Sequence, residues 1–353
     1  MLETPLVEML GIGYPIIQAG MGPWSTERLC IASADAGILG VVSTVGLAYK
    51  IAVPSALEDG ADVWDRTPYE LLRMTLDSVG EKTAESGGIF GVNIPLAQEF
   101  AELIEGLFKA TTDARKDPDI ARRLKVIITS AGNPTPWSGT IRESGALWFH
   151  VAPSVYHARK AEQAGADLVI ASGREGGGHV AFEPVHTMTL LPAVVDAVDL
   201  PVVGAGGFCD GRGLVAALCL GAVGVQMGTR FIATRESDFQ PMWKDKVLEA
   251  GTDGSVVGIS VFGPARYLKN GVSLRLGELL QKGFEEGYQE GVDLETRGIE
   301  LSMAGEEPDR AVFFGGEVAG RIDGVPTVEE VVAEIAREAE EVAAAVLEPG
   351  GRR

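Results

Sequence analysis

Asp167–His179, DLVIASGREGGGH, is the stretch on which the fold turns. The apolar residues Leu168–Ala171 run straight into a loop holding Gly173, Gly176, Gly177 and Gly178, and the loop ends in His179. A strand without polar alternation is buried on both faces, as in a parallel sheet covered by helices. Glycines let a backbone approach a planar ligand and adopt positive φ. Histidine is the side chain whose ordinary pKa permits proton transfer near neutrality. At the C-terminal end of a parallel strand, the combination marks a place where a cofactor and a base would meet, without naming a reaction.

The same pattern recurs on both sides. Short Val- and Ile-rich runs, each followed by Gly or Pro and then a helical stretch, lie at Pro15–Gln18, Ile38–Ser43, Ile89–Ile94, Lys125–Thr129, Leu147–Val151, Leu168–Ala171, Pro201–Gly204 and Gly224–Met227. Apolar strands alternating with helices indicate an α/β fold, and eight of them fit a closed (β/α)8 TIM barrel. Ser154 is placed to cap a helix running to Ala164 and ending at Gly165. Thr327 and Glu330 have capping-box spacing before a final helix with Val328, Val331, Val332 and Ile335 along one stripe. Two stretches break the rhythm, Lys50–Thr83 and roughly Phe239–Asp323, and read as insertions over the barrel mouth. The expected organisation is a barrel core over 1–238 with an insertion at about 50–83, an accessory or lid region over 239–323, and a C-terminal helix over 324–353 packed on the barrel.

Composition narrows the partners. Fifty acidic against 30 basic residues in 353 give a net charge of −20, which repels nucleic acid and anionic membranes. Cys30, Cys209 and Cys219 form no CxxC pair, so neither a disulfide framework nor a metal site is expected. The acidic start MLETPLVEML lacks the basic region of a secretory signal, and the uncharged run Gly213–Gly228 is too short to span a membrane. The expectation is a soluble, cytoplasmic protein. The final helix stripe fits either the chain's own barrel or a second subunit, so a homodimer stays open.

In barrel enzymes the site is built from the loops after the strands. This sequence offers Gln18–Pro23 after the first, Asn93 at the third, Ser130–Gly132 after the fourth and the loop to His179 after the sixth. Ala205–Gly207 follows the seventh and Gly228–Arg230 the eighth. Small residues at the last two places expose N–H groups that can cradle a phosphate, and flavin mononucleotide (FMN) would fit. The plainer reading of Gly206 and Gly207 is a tight turn. A dinucleotide GxGxxG fails at Cys209. His150, His157 and His186 read as structural, and no Ser-His-Asp order or HExxH pattern is present.

PIIQAGM at Pro15–Met21, GVNIPL at Gly91–Leu96, the GGH of Gly177–His179, PVVGAGGFCDG at Pro201–Gly211 and QMGTRF at Gln226–Phe231 together resemble the nitronate monooxygenases and their relatives, the flavin-dependent enoyl-acyl-carrier-protein reductases. A weaker echo lies at Gly316–Ile322, GEVAGRI. The resemblance implies a TIM barrel that binds FMN, with His179 as catalytic base or donor. The implied cofactor contacts are Met21, Asn93, Ser172, Gly177, Gly178, Gly206, Gly207, Gln226, Met227, Gly228 and Thr229. The leading expected reaction is oxidation of an alkyl nitronate with O2 to a carbonyl compound and nitrite. The alternative is reduction of an enoyl thioester or a quinone with NAD(P)H. Where members of the family often carry a glutamine or an acidic residue, Ser172-Gly173-Arg174 stands here. Arg174 is open to two readings, an anion-holding cation or a solvent-facing loop residue.

Overall fold

The computed structural model describes residues 2–48, 65–97 and 101–347. Its strands are β1 (Ile16–Gln18), β2 (Gly40–Ser43), β3 (Phe90–Pro95), β4 (Leu124–Ser130), β5 (Leu147–Ala152), β6 (Leu168–Ser172), β7 (Gly178–His179), β8 (Val202–Ala205), β9 (Gly224–Met227), β10 (Ser255–Ser260) and β11 (Gly263–Leu268). Eight of them form one parallel sheet in the order β1-β9-β8-β6-β5-β4-β3-β2. A parallel bridge between Ile17 and Leu39 brings its two edges together. The Gln18 side chain reinforces that seam, its Oε1 accepting from Val41 N at 2.9 Å. The fold is the expected TIM barrel, and each of its eight strands overlaps one of the apolar runs.

Strand alternation sorts the residues into two layers. Ile17, Val41, Val126, Ile128, Phe149, Ile170 and Val203 fill the barrel interior. Ile16, Val42, Val92, Ile127, Trp148, Val169, Val225 and Met227 pack outward under the helices. Leu6 and Leu10, on the helix Pro5–Leu10, join the interior cluster, so this short helix plugs the barrel at the starts of its strands.

The Ser154-capped helix spans Val155–Ala164, with Gly165 in the left-handed region at φ 92°. The final helix is Val328–Leu347. Its buried stripe Val328, Val331, Val332 and Ile335 lies in the outer cluster of its own barrel. The Lys50–Thr83 stretch needs a correction. Residues 50–64 lie outside the described residues, but Pro68–Lys82 is a regular helix between β2 and β3, with a complete Thr67/Glu70 capping box. Pro68 starts that helix, where its missing N–H interrupts nothing.

Beyond the barrel, the chain forms the helix Pro241–Glu249, the hairpin β10–β11, the helices Gly271–Lys282 and Phe284–Ala304, and a turn at Glu317–Arg321. The two-residue β7 pairs antiparallel with β11, Ala265 opposite His179 and Arg266 opposite Gly178. A three-stranded sheet, β10-β11-β7, thereby ties the glycine loop after β6 to the hairpin.

Candidate active site

The apolar barrel interior is topped by polar residues. Ser43, Ser130 and Ser172 each stand two positions beyond an inward-facing residue of their strands, and Asn93 and Gln226 alternate with outward-facing neighbours. Asn93 Nδ2 donates to Ile128 O and Ser130 Oγ, both at 3.3 Å. Ser43 Oγ is fully buried beside Asn93 and has no hydrogen-bond partner among the described residues. An unpaired buried hydroxyl is costly, and a ligand group at the mouth would satisfy it.

Glycines surround this polar layer. Gly206 and Gly207 are both left-handed, at φ 88° and 85°, and only glycine adopts that conformation freely. A methyl group on Gly206 would stand 2.8 Å from Gly173 O, so the loops after β6 and β8 meet backbone to backbone. A methyl group on Gly228 would stand 3.2 Å from Met21 Sδ. Thr229 Oγ1 accepts from Gly316 N at 2.9 Å, and Glu317 N donates to Glu175 O at 3.0 Å. The tail segment Gly315–Glu317 therefore bridges the loops after β6 and β9. Met227 stands apart from the other expected contacts, because its side chain lies in the outer layer and its carbonyl accepts from Ala19 N.

His179 stands on the rim opposite. Its Nε2 lies 2.9 Å from Ser260 Oγ, and the rings of Phe262 and Phe314 are 5.2 and 6.2 Å away between centroids. These walls strip water from the imidazole and push its pKa down to about 4. The residue as a whole is nonetheless exposed. The consequence is the direction: His179 is neutral at pH 7, able to accept a proton at one nitrogen and donate from the other.

The other histidines lie elsewhere. His150 is buried under the helices with Nδ1 at 2.8 Å from Thr129 Oγ1, His157 meets Ser154 at a helix start, and His186 precedes the helix Thr187–Val195 without a side-chain cap bond. Arg174 braces its own loop, its guanidinium donating to Ala181 O. Its carbonyl accepts twice from the buried Arg266, at 3.1 and 2.9 Å. The hairpin residues Ser260 and Phe262, with Phe314, are absent from the sequence-based site, because they reach His179 only through long-range packing.

A family model described as nitronate monooxygenase matches residues 3–338. The chain belongs to the nitronate monooxygenase family. It is therefore an oxidoreductase. It is 32% identical to the "(3aS,4S,5R,7aS)-5-hydroxy-7a-methyl-1-oxo-octahydro-1H-indene-4-carboxyl-CoA dehydrogenase" of Mycobacterium tuberculosis (strain ATCC 25618 / H37Rv), over 96% of each chain. It is also 32% identical to a "Probable nitronate monooxygenase" of Staphylococcus aureus (strain MSSA476), covering 72% of this chain and 75% of the relative. Among solved structures, FabK from Thermotoga maritima superposes with a TM-score of 0.81 at 30% identity over 99% of both chains. Among the described residues of this family member, no helix is long and apolar enough to cross a membrane.

Proposed function

We propose that the protein is an FMN-dependent oxidoreductase acting on the carbons next to the carbonyl of an acyl thioester. One observation carries the choice of substrate: an aromatic path leads outward from the histidine. Phe262 packs against His179, Tyr288 Oη donates to Val261 O beside it, and Tyr288, Phe284 and Phe182 follow at ring separations of 5.3 and 5.1 Å. Phe182 is 62% exposed. Such a lip suits a long apolar acyl group, whereas a small nitronate would leave it unused. The Mycobacterium tuberculosis relative, which this chain matches along its length, is itself named as a dehydrogenase of a carboxyl-CoA compound.

The mouth fits the flavin. The glycine loops at Gly206, Gly207 and Gly228, with Thr229, would hold the phosphate; Asn93, Ser172, Gln226 and the unsatisfied Ser43 would meet the ring edges; Met21, Gly177 and Gly178 would border it. When bound, FMN supplies the two-electron chemistry that no side chain of this protein can perform. The protein's share is acid–base and positional. Neutral His179 takes or returns the proton at the carbon next to the carbonyl, the rim orients the acyl group against it, and the two phenylalanines exclude water.

A second reading, oxidation of alkyl nitronates with O2, is favoured by the family model and the Staphylococcus aureus relative. An anaerobic visible spectrum of the purified protein separates the two. Bleaching by NADH or NADPH, reversed by the long-chain trans-2-dodecenoyl-CoA, is expected. Reduction by propyl-2-nitronate alone, with no response to nicotinamide or thioester, would overturn the thioester reading in favour of the second.

A further inference from the structure

A short segment near the end of the chain joins the loops after β6 and β9. Gly316 N donates to Thr229 Oγ1 at 2.9 Å, and Glu317 N donates to Glu175 O at 3.0 Å. Backbone meets backbone there, with no room for side chains. A methyl group on Gly177 would stand 2.6 Å from Gly315 C and from Gly316 N, and one on Gly316 would stand 2.7 Å from Glu175 O. The segment is also anchored away from these loops. Phe314 bridges antiparallel to Tyr267 on β11, its carbonyl accepts from Trp243 Nε1 at 3.1 Å, and Glu317 pairs with the buried Arg266 at 2.9 Å. β11 pairs in turn with β7, so this segment and the glycine loop share one support.

The bond to Thr229 limits what that hydroxyl can do. Thr229 is 6% exposed. A hydroxyl carries one proton and accepts through its lone pairs. The Gly316 amide takes a lone pair, and the proton has no acceptor among the described residues. A buried donor left unused is costly, so the place calls for an acceptor from outside the chain. We propose that Gly315–Glu317 is a flavin-retaining strap. Its Gly316 amide fixes Thr229 with the hydroxyl proton free to donate to the FMN phosphate, and its bond to the loop after β6 holds the two sides of the mouth together around the cofactor. Gly316 is then a positioning residue, 87 positions from the threonine it orients. The inference rests on the reading of this mouth as an FMN site.

The test is FMN affinity, measured by titrating flavin-stripped full-length protein and following flavin fluorescence. Gly316 has φ −79°, open to any residue, so Gly316→Ala disturbs only its packing against Glu175, Gly177 and Thr229. It should raise the FMN Kd about 10- to 100-fold, the worth of one hydrogen bond to a charged group. Thr229→Val should do the same, and Thr229→Ser, which keeps the hydroxyl, should restore tight binding. Gly320→Ala is the control, since it crowds the same turn against a different neighbour, Gly251 O. It should lower stability and leave the Kd near the wild-type value. Hydrogen exchange gives a second readout: FMN should slow exchange in the peptide 313–321 of the wild type but not of Thr229→Val, and this comparison decides if Gly316→Ala fails to fold. Wild-type affinity in Gly316→Ala, equal weakening in Gly316→Ala and Gly320→Ala, or exchange at 313–321 that ignores FMN would overturn the strap while the flavin reading stands. A wild-type protein that takes up no FMN would instead overturn the flavin reading, and the strap with it.

Discussion

Gly206 and Gly178 are both left-handed, at φ 88° and 75°, but their surroundings differ. A methyl group on Gly178 meets nothing within 4 Å, whereas one on Gly206 stands 2.8 Å from Gly173 O and 3.2 Å from the amide nitrogens of Gly173 and Gly176. Left-handed strain alone costs about 1–2 kcal/mol for a residue with a side chain. Gly178→Ala should therefore lose about that much. Gly206→Ala adds overpacking of about 1–3 kcal/mol against backbone that cannot rotate away, for a total of about 2–5 kcal/mol. Unfolding entropy of roughly 2.1 cal/mol/K per residue gives about 0.7 kcal/mol/K for the 353-residue chain. The expected falls in Tm are thus about 1–3 °C for Gly178→Ala and about 3–7 °C for Gly206→Ala. Thermal unfolding with absorbance at the flavin band tests both, since Gly206→Ala should also displace the phosphate cradle and lose FMN. Equal shifts in the two variants, or a Gly206→Ala protein with wild-type Tm and full flavin, would refute the close approach of the two loops.

Further predictions follow from single residues. His179→Asn should keep its flavin and lose about 10²–10⁴-fold in turnover; undiminished turnover would exclude it as the acid–base group. His150 is 2% exposed, and burial holds its pKa at about 4, below an ordinary value near 6.5. The unfolded chain binds this proton first as pH falls, so stability is present above about pH 6.5 and is lost toward pH 4. The loss this one group contributes between pH 7 and 5 is about 2 kcal/mol, and urea unfolding should show an acid-induced loss smaller by about that much in His150→Gln than in the wild type. Equal acid sensitivity in the two proteins would contradict the assignment. Arg266→Met removes two bonds to Arg174 O, one to Ser255 Oγ and a 2.9 Å ion pair with Glu317, itself 40% exposed. It should cost about 2–3 kcal/mol and speed proteolysis within 173–185; an unchanged Tm and cleavage rate would show that the loop stands without this brace.

The barrel was legible because its strands are buried on both faces, which writes them as unbroken apolar runs such as Leu168–Ala171. The helix Pro68–Lys82 was read as part of an insertion, although Thr67 and Glu70 already spell its capping box. The glycine loops were conspicuous because left-handed backbone at Gly206 and Gly207 leaves a compositional mark. β7 left none, since two residues carry no periodicity. Met227 was expected among the cofactor contacts with Gln226, while alternation turns neighbouring side chains to opposite sides of the sheet. Ser260 lies 81 positions from His179 and has no local signature.

The pairing of His179 with Ala265 has an evolutionary reading. The floor of the mouth belongs to the barrel, but Ser260 and Phe262 reach the histidine from the hairpin β10–β11, and Phe314 reaches it from the segment after the helix Phe284–Ala304, all later in the chain. The surroundings of His179 are thus set by residues outside the barrel. Exchanging 255–314 would change what packs against His179 while the barrel strands keep their sequence.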